Sequence, residues 1–328
     1  MQIKNSTVIV YDIEVFPNVF HCCCKNSETG EITKFEVSLR KCQLEELVKF
    51  FLRKDNIMFC GYNNHHYDDV IINYIIDYCQ KLNRLPYFKI CKSLFNLSTT
   101  IVNAKEGEID SFKRWKYAHY FYSIDILTML FSSKLRVGLK EMQLTMHYNN
   151  VQEYEGDFSA NLSLSDIDKM IEYNINDVNS TTELLNRVKN DIELRLFIEK
   201  EYGFDALSMD SVKFGETLLA KKYCEYTGIL INELKKMRSP MDHIPLKEVI
   251  FPFITYKNPK LQAVLKEMKE QIVSSKERKG YEKKLVISNT VYSIGVGGIH
   301  SIHTPKIFRP GPDEYIGHSD VALKYWRQ

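Results

Sequence analysis

"VIVYDIEVF" runs from Val8 to Phe16 and sets two carboxylates, Asp12 and Glu14, inside an otherwise apolar stretch of strand-forming residues. In an extended chain, residues two apart point to the same face, so both acids look the same way. Side by side on a core strand, two like charges repel unless a cation joins them. The pair therefore asks for an explanation beyond packing.

Outward from this strand, Ser6 to Val15, Asn18 to Lys25 and Glu31 to Val37 form three β-rich runs, separated by Pro17-Asn18 and Glu28-Thr29-Gly30. Turn residues between short alternating runs predict an antiparallel meander. Leu44, Leu47, Val48, Phe51 and Leu52 then recur at helical spacing, "IMFCGY" (Ile57 to Tyr62) reads as a buried strand, and Val70 to Leu82 as a second helix. A fifth strand is expected over "YFYSIDIL" (Tyr120 to Leu127). A long helix follows from near Ser165, with Asp168 three residues on as a weak capping box. Meander strands followed by alternating helices and strands predict an α/β fold with a mixed five-stranded sheet flanked by helices.

With 328 residues the chain can bury a full core, as one large or two modest domains. The hydrophobic fraction is 44%, yet no apolar stretch approaches the roughly 18 residues of a membrane span, and no signal segment precedes the first strand. The expectation is a soluble protein of the cytoplasm without a membrane partner. Eight cysteines, among them Cys22, Cys23 and Cys24, lack C-x-x-C spacing and read as reduced structural thiols rather than bridges or zinc ligands. Residues 1 to 200 hold 24 Lys+Arg against 27 Asp+Glu, whereas residues 201 to 328 hold 20 against 15. An acidic front and a basic back suit metal binding followed by phosphate contact, although ordinary surface scatter gives the same totals.

Further acids fall at matching places. After "IMFCGY" comes "NNHHYDDVI", which puts Asn63, Tyr67 and Asp68 in the turn and first helical residues beyond a strand's carboxyl end, the usual ligand side of such sheets. In "KMIEYNINDVNSTTELL", Tyr173 and Asp177 are four apart and share a helix face beside apolar Met170, Ile171, Ile175 and Val178. Four acids and a tyrosine can converge, and a hard divalent cation held by oxygen would relieve their repulsion.

The three segments, "YDIEV", "NNHHYD" and "YNIND", taken in order, resemble the three motifs of the DEDDy 3′→5′ exonucleases, and more narrowly the proofreading region of phage-type DNA polymerases. "SIDIL" and "GLKEMQL" strengthen the likeness, which covers roughly residues 6 to 200. The resemblance implies an RNase H-like exonuclease domain over residues 1–203 and two Mg²⁺ or Mn²⁺ ions held by Asp12, Glu14, Asp68 and Asp177. It also implies that Tyr173 orients the attacking water and that Asn63 helps position the terminal nucleotide. The implied substrate is DNA, preferentially single-stranded or frayed at its 3′ end, cut to nucleoside monophosphates. A separate polymerase subunit is a further implied partner, in a host cytoplasm if the chain is phage-encoded. Alternatives are a non-catalytic DNA- or partner-binding fragment and a 3′→5′ oligoribonuclease.

Other residues carry two readings each. Lys140 in "RVGLKEM" is either a solvated helix residue or a cation for the scissile phosphate. His65 and His66 are polar turn residues at the cleft rim or substrate contacts. "FKRWKYAHYFY" (Phe112 to Tyr122) interleaves bases and aromatics as single-strand binders do, and equally as cross-strand pairs do. Residues 204–328 are expected to form a mostly helical basic extension, including a proline-punctuated connection (Arg238 to Phe253) and a basic helix from Pro259 to Lys284 that ends near "KERKG". In "VYSIGVGGIHSIH", Gly295, Gly297 and Gly298 permit close backbone approach to a ligand, while His300 and His303 would face opposite sides of a strand. "HSDVALKYWRQ" resembles the opening of a polymerase palm motif at Asp320, then departs from it, so no polymerase activity is expected.

Overall fold

The computed structural model describes residues 1–104, 120–131, 137–154, 156–237, 242–274, 281–287, 290–295, 298–302, 309 and 311–312. The chain divides into two compact units, Met1–Leu234 and Lys235–Gln328.

The first unit is built on one sheet of strands β1 (Gln2–Ile3), β2 (Ser6–Phe16), β3 (Val19–Asn26), β4 (Ile32–Val37), β5 (Ile57–Gly61) and β6 (Ser123–Asp125). Its order is β4-β3-β2-β5-β6, with β1 added beside β2. The first four strands pair antiparallel, and β5 and β6 join in parallel. The architecture is therefore α/β with a mixed sheet, as the pattern predicts, but with six strands rather than five. The extra strand is two residues long, too short to show a period, and folds back through Lys4 and Asn5, both at positive φ.

Alternation along β2 sorts the core. Ile9, Tyr11, Ile13 and Val15 pack with residues of α1 (Leu44–Phe51), α2 (Asp68–Leu82) and α3 (Tyr87–Val102). Val8 and Val10 belong instead to a cluster with α4 (Ile126–Leu130), α5 (Leu139–Thr145) and the long α6 (Leu164–Arg187). Toward one end α6 contributes Val178, Leu184 and Leu185 against Val8 and Val10, and toward the other Ile167 and Met170 against Phe16 and Val19. Asp12 and Glu14 share the face of Val8, Val10 and Phe16 by period two. Two apolar contacts thus clamp the helix over the strand and leave a polar stretch between them.

Several boundaries move. The strand expected over Tyr120–Leu127 is only Ser123–Asp125, because the Asp125 side chain accepts from the amides of Leu127 (3.0 Å) and Thr128 (3.4 Å) and starts α4 at Ile126. The cap of α6 is Ser163, whose Oγ accepts from the Asp166 amide at 3.3 Å. It lies two residues before the expected Ser165, and Asp168 pairs instead with Arg40 at 2.5 Å. α7 (Lys189–Tyr202) ends at Gly203, in the left-handed region that glycine adopts without strain. The compact unit nevertheless continues past that expected boundary through α8 (Ser211–Thr227) and α9 (Ile231–Leu234). Arg195 is the reason: buried at 5% exposure, it donates to the carbonyls of Met129 (2.6 Å), Ala206 (2.5 Å) and Met209 (2.7 Å).

The second unit holds α10 (Leu246–Val249), α11 (Pro259–Lys269), a β7–β8 pair (His243–Pro245 with Ile272–Ser274) and a meander of β9 (Glu282–Ile287), β10 (Thr290–Gly295) and β11 (Gly298–Ile302). The helix expected to reach Lys284 stops at Lys269, since Ile272 and Val273 pair with Pro245 and Ile244. Gly295 pairs with Gly298 on the β10–β11 ladder, and Gly298 sits at φ 134°, a backbone that glycine adopts without strain. His300 is exposed on β11. Residues 112–119, Gly297, His303 and the Asp320 segment lie outside the described residues. All eight cysteines are unpaired, with Cys22, Cys23 and Cys24 buried. No helix among the described residues is long and apolar enough to cross a membrane.

Candidate active site

β2 outruns its parallel neighbour. Pairing with β5 spans Thr7↔Ile57 to Val10↔Cys60, whereas pairing with β3 continues through Asp12↔Cys23 and Glu14↔His21. The two acids thus lie beyond the body of the parallel sheet, at the carboxyl end of its strands, where ligands of α/β sheets gather. Past this end of the β2–β5 ladder, the Ile13 amide donates to Asp68 Oδ1 at 3.1 Å. That bond carries Asp68, the first residue of α2, to the stretch of β2 between Asp12 and Glu14.

Asp68 and Asp69 are neighbours with different tasks. Asp69 accepts from the hydroxyl of Tyr11, from Asn64 Nδ2 (3.1 Å) and from Ser123 Oγ (2.6 Å), and so ties the turn after β5 into the core. Asp68 lies instead in the field of Asp12: burial first, then Asp12 and Asp69, push its carboxyl well up. Its bonds to the backbone amides act in the opposite direction.

From the other side α6 brings Asp177, buried at 5% exposure, and Tyr173 one turn before it. The Lys140 ammonium donates to Asp177 Oδ1 and sits 4.4 Å from the centre of the Tyr173 ring. Gln143 donates to the same Asp177 oxygen at 3.1 Å and to Ser180 Oγ at 2.7 Å. Asn174 donates from Nδ2 to Asp12 Oδ2 at 2.5 Å, with its own Oδ1 2.7 Å from His21 Nδ1. The Tyr173 ring meets Tyr154 edge-on at 6.0 Å.

The electrostatics mark these groups as neighbours. Burial and then Asp177 push Asp12 up to about 8, against Lys140 and the Asn174 hydrogen bond. Glu14 is pushed well up by burial and then by Asp12, Asp177 and Asp68. Burial, and after it Asp177 and Glu14, hold the Tyr173 phenol above its ordinary value, so it stays a hydroxyl. Such mutual elevation means excess negative charge in little water, relieved by protons, by Lys140 or by a bound cation.

Among the described residues, no group of three or more His, Cys, Asp or Glu side chains stands ready in an arrangement that would hold a metal ion. The oxygens are turned to internal donors instead: Asp12 to Asn174, Asp68 to the Ile13 amide, Asp177 to Lys140 and Gln143. The chemistry of the donor set still fits a hard cation, being all oxygen, mostly carboxylate and short of positive charge. No protein-family model, curated protein or solved structure matches the chain.

Of the residues that the sequence points to, Asp12, Glu14, Asp68, Tyr173, Asp177 and Lys140 come together. Asn63 stands apart: its side chain is exposed, its backbone is left-handed (φ 62°), and its amide donates to Asp125 at 2.8 Å. His65 and His66 brace the turn, with His65 Nε2 3.1 Å from the Ser123 carbonyl and His66 Nδ1 3.8 Å from Asp125. Asn174, Gln143 and His21 were not legible as site residues. Gln143 lies three residues after Lys140 on the same helical face, which is the signal that could have found it.

Proposed function

We propose that this chain is a 3′→5′ exonuclease that removes nucleoside monophosphates from the 3′ end of DNA. In this reading it has an RNase H-like fold and corresponds to the exonuclease portion of a phage-type DNA polymerase. One observation carries the reading: acids from β2, α2 and α6, with a tyrosine one turn from the last, meet at the carboxyl end of a mixed sheet. The strand order is compatible with that fold.

Asp12, Glu14, Asp68 and Asp177 would hold two Mg²⁺ or Mn²⁺ ions. Bound there, the ions would supply Lewis acidity, lowering the pKa of a water and neutralising charge on the phosphodiester and the departing 3′ oxygen. The protein supplies placement. Tyr173, kept protonated by burial and the nearby acids, offers a hydroxyl to orient the attacking water. The Lys140 ammonium, already drawn to Asp177, provides fixed positive charge for the scissile phosphate. Asn63, exposed on its left-handed turn, would help position the terminal nucleotide, as the resemblance implies. In the reaction a water oxygen bonds to phosphorus and the bond from phosphorus to the 3′ oxygen breaks. The shortened strand keeps a 3′ hydroxyl, and a 5′-monophosphate leaves.

The test is digestion of 5′-labelled single-stranded DNA, and of an RNA oligomer of the same sequence, with Mg²⁺ or Mn²⁺ and with chelator. A descending ladder on DNA that chelator abolishes is the expected result. Activity on RNA alone would make the chain an oligoribonuclease, and inertness toward both would leave a binding fragment.

A further inference from the structure

We infer that Asn174 is the positioning residue of this site: its carboxamide, turned by His21, holds one oxygen of Asp12 in a fixed orientation for cation binding. The inference rests on the exonuclease reading and adds to it two side chains that touch neither water nor DNA.

Three observations combine. Asn174 is fully buried on α6, one residue beyond Tyr173, and its Nδ2 donates to Asp12 Oδ2 at 2.5 Å. On its other side Asn174 Oδ1 lies 2.7 Å from Nδ1 of His21, also fully buried. The second ring nitrogen, His21 Nε2, has no hydrogen-bond partner among the described residues.

With a cation bound Asp12 is an ionised carboxylate that accepts only, so the amide must turn its NH₂ to Asp12 and its oxygen to His21. The oxygen in turn needs a donor, so His21 carries its proton on Nδ1. Nε2 is then a bare lone pair, less costly to bury unpartnered than an N–H. The opposite tautomer would set a lone pair against the Asn174 oxygen and strand an N–H in the core. His21 therefore fixes the sense of the amide, and the amide fixes Asp12. An aspartate would repel Asp12 at this position, and an alanine would leave the carboxylate free to turn. Groups that orient a metal-binding side chain in this way commonly matter ten- to a hundredfold in metal affinity.

The experiment uses the full chain and Mn²⁺ alone, titrated by calorimetry with folding checked by circular dichroism. Asn174→Ala should bind Mn²⁺ about ten- to a hundredfold more weakly than wild type. His21→Ala should weaken it by a smaller factor, and in the Asn174→Ala background His21→Ala should add nothing, because its effect passes through the amide. Should Asn174→Ala fail to fold, Asn174→Ser takes its place. In wild type with Mg²⁺ bound, ¹⁵N spectra should show His21 protonated on Nδ1 and bare on Nε2. Wild-type affinity in the Asn174 variants, additive losses in the double variant, or the opposite tautomer would each overturn the inference while leaving the exonuclease reading intact. A wild-type chain that binds no Mn²⁺ would overturn both.

Discussion

Replacing Asp12 by asparagine should make the metal-free protein more stable, and increasingly so as pH rises. Asn keeps the shape of the side chain and an oxygen to accept from Asn174 Nδ2, but carries no charge. In the fold Asp12 stays protonated up to about 8, whereas in an unfolded chain it ionises near 3.9. A carboxyl with its folded value raised binds more protons folded than unfolded, so it costs stability progressively from about pH 4 to pH 8 and costs nothing below both values. At roughly 1.4 kcal/mol per pH unit, the full cost reaches about 5 kcal/mol at pH 8. Asp12 is only half-buried, and solvent screening cuts this to about 2 to 3 kcal/mol. For a unit of this size that is roughly 4–12 °C in melting temperature. Asp12→Asn should therefore melt above wild type by that margin at pH 8 in chelator, and by roughly a third of it at pH 5. Mn²⁺ should then raise the wild type more than the variant, by mass action on a site that only the wild type completes. An Asp12→Asn chain that melts below wild type at pH 8, or a margin that shrinks as pH rises, would refute the electrostatic account of this cluster.

Other outcomes follow from the same geometry. Asp177→Ala should lower cleavage by at least about a thousandfold, with purification on fresh columns to exclude contaminating nuclease. Tyr173→Phe should cost roughly ten- to a thousandfold in turnover with Mn²⁺ affinity in calorimetry nearly unchanged, because a hydroxyl that orients water is not a ligand. Asp69→Asn should lower the unfolding free energy measured by denaturant titration by about 1–3 kcal/mol, since it loosens the bonds with Tyr11, Asn64 and Ser123. Asp68→Asn, next to it, should keep the fold and lose cleavage. Single strands and mismatched 3′ ends should be digested faster than paired ends, which cost about 1 to 2 kcal/mol per step to unstack. Cutting of circular single strands would count against an enzyme that needs an end.

The meander, the parallel strand after it and the long helix were all legible, because each is written in a local period. What blurred were ends. Asp125 reads as one more residue of an apolar run, yet its carboxylate caps the helix that ends the strand. The stretch after Lys269 keeps its lysines and glutamates, but Ile272 and Val273 find β7, a partner that no local pattern names. β1 is too short to carry any period at all.

For the site the division is similar. The sequence by itself determined that Asp12 and Glu14 share a face and that Tyr173 and Asp177 share another, since two residues along a strand and four along a helix are fixed by backbone geometry. It singled out Asp68 through the motif resemblance alone; that Asp68 meets the Ile13 amide while Asp69 turns to Tyr11, Asn64 and Ser123 is decided by the fold. The sequence could not show that Asn174 reaches Asp12 across 162 residues, or that Lys140 reaches Asp177 across 37. Those contacts depend on where the β2–β5 ladder stops and how α6 is clamped over β2 by apolar residues at its two ends. Register and packing are settled between elements, by burial summed over the whole core, and only the tertiary structure carries that sum.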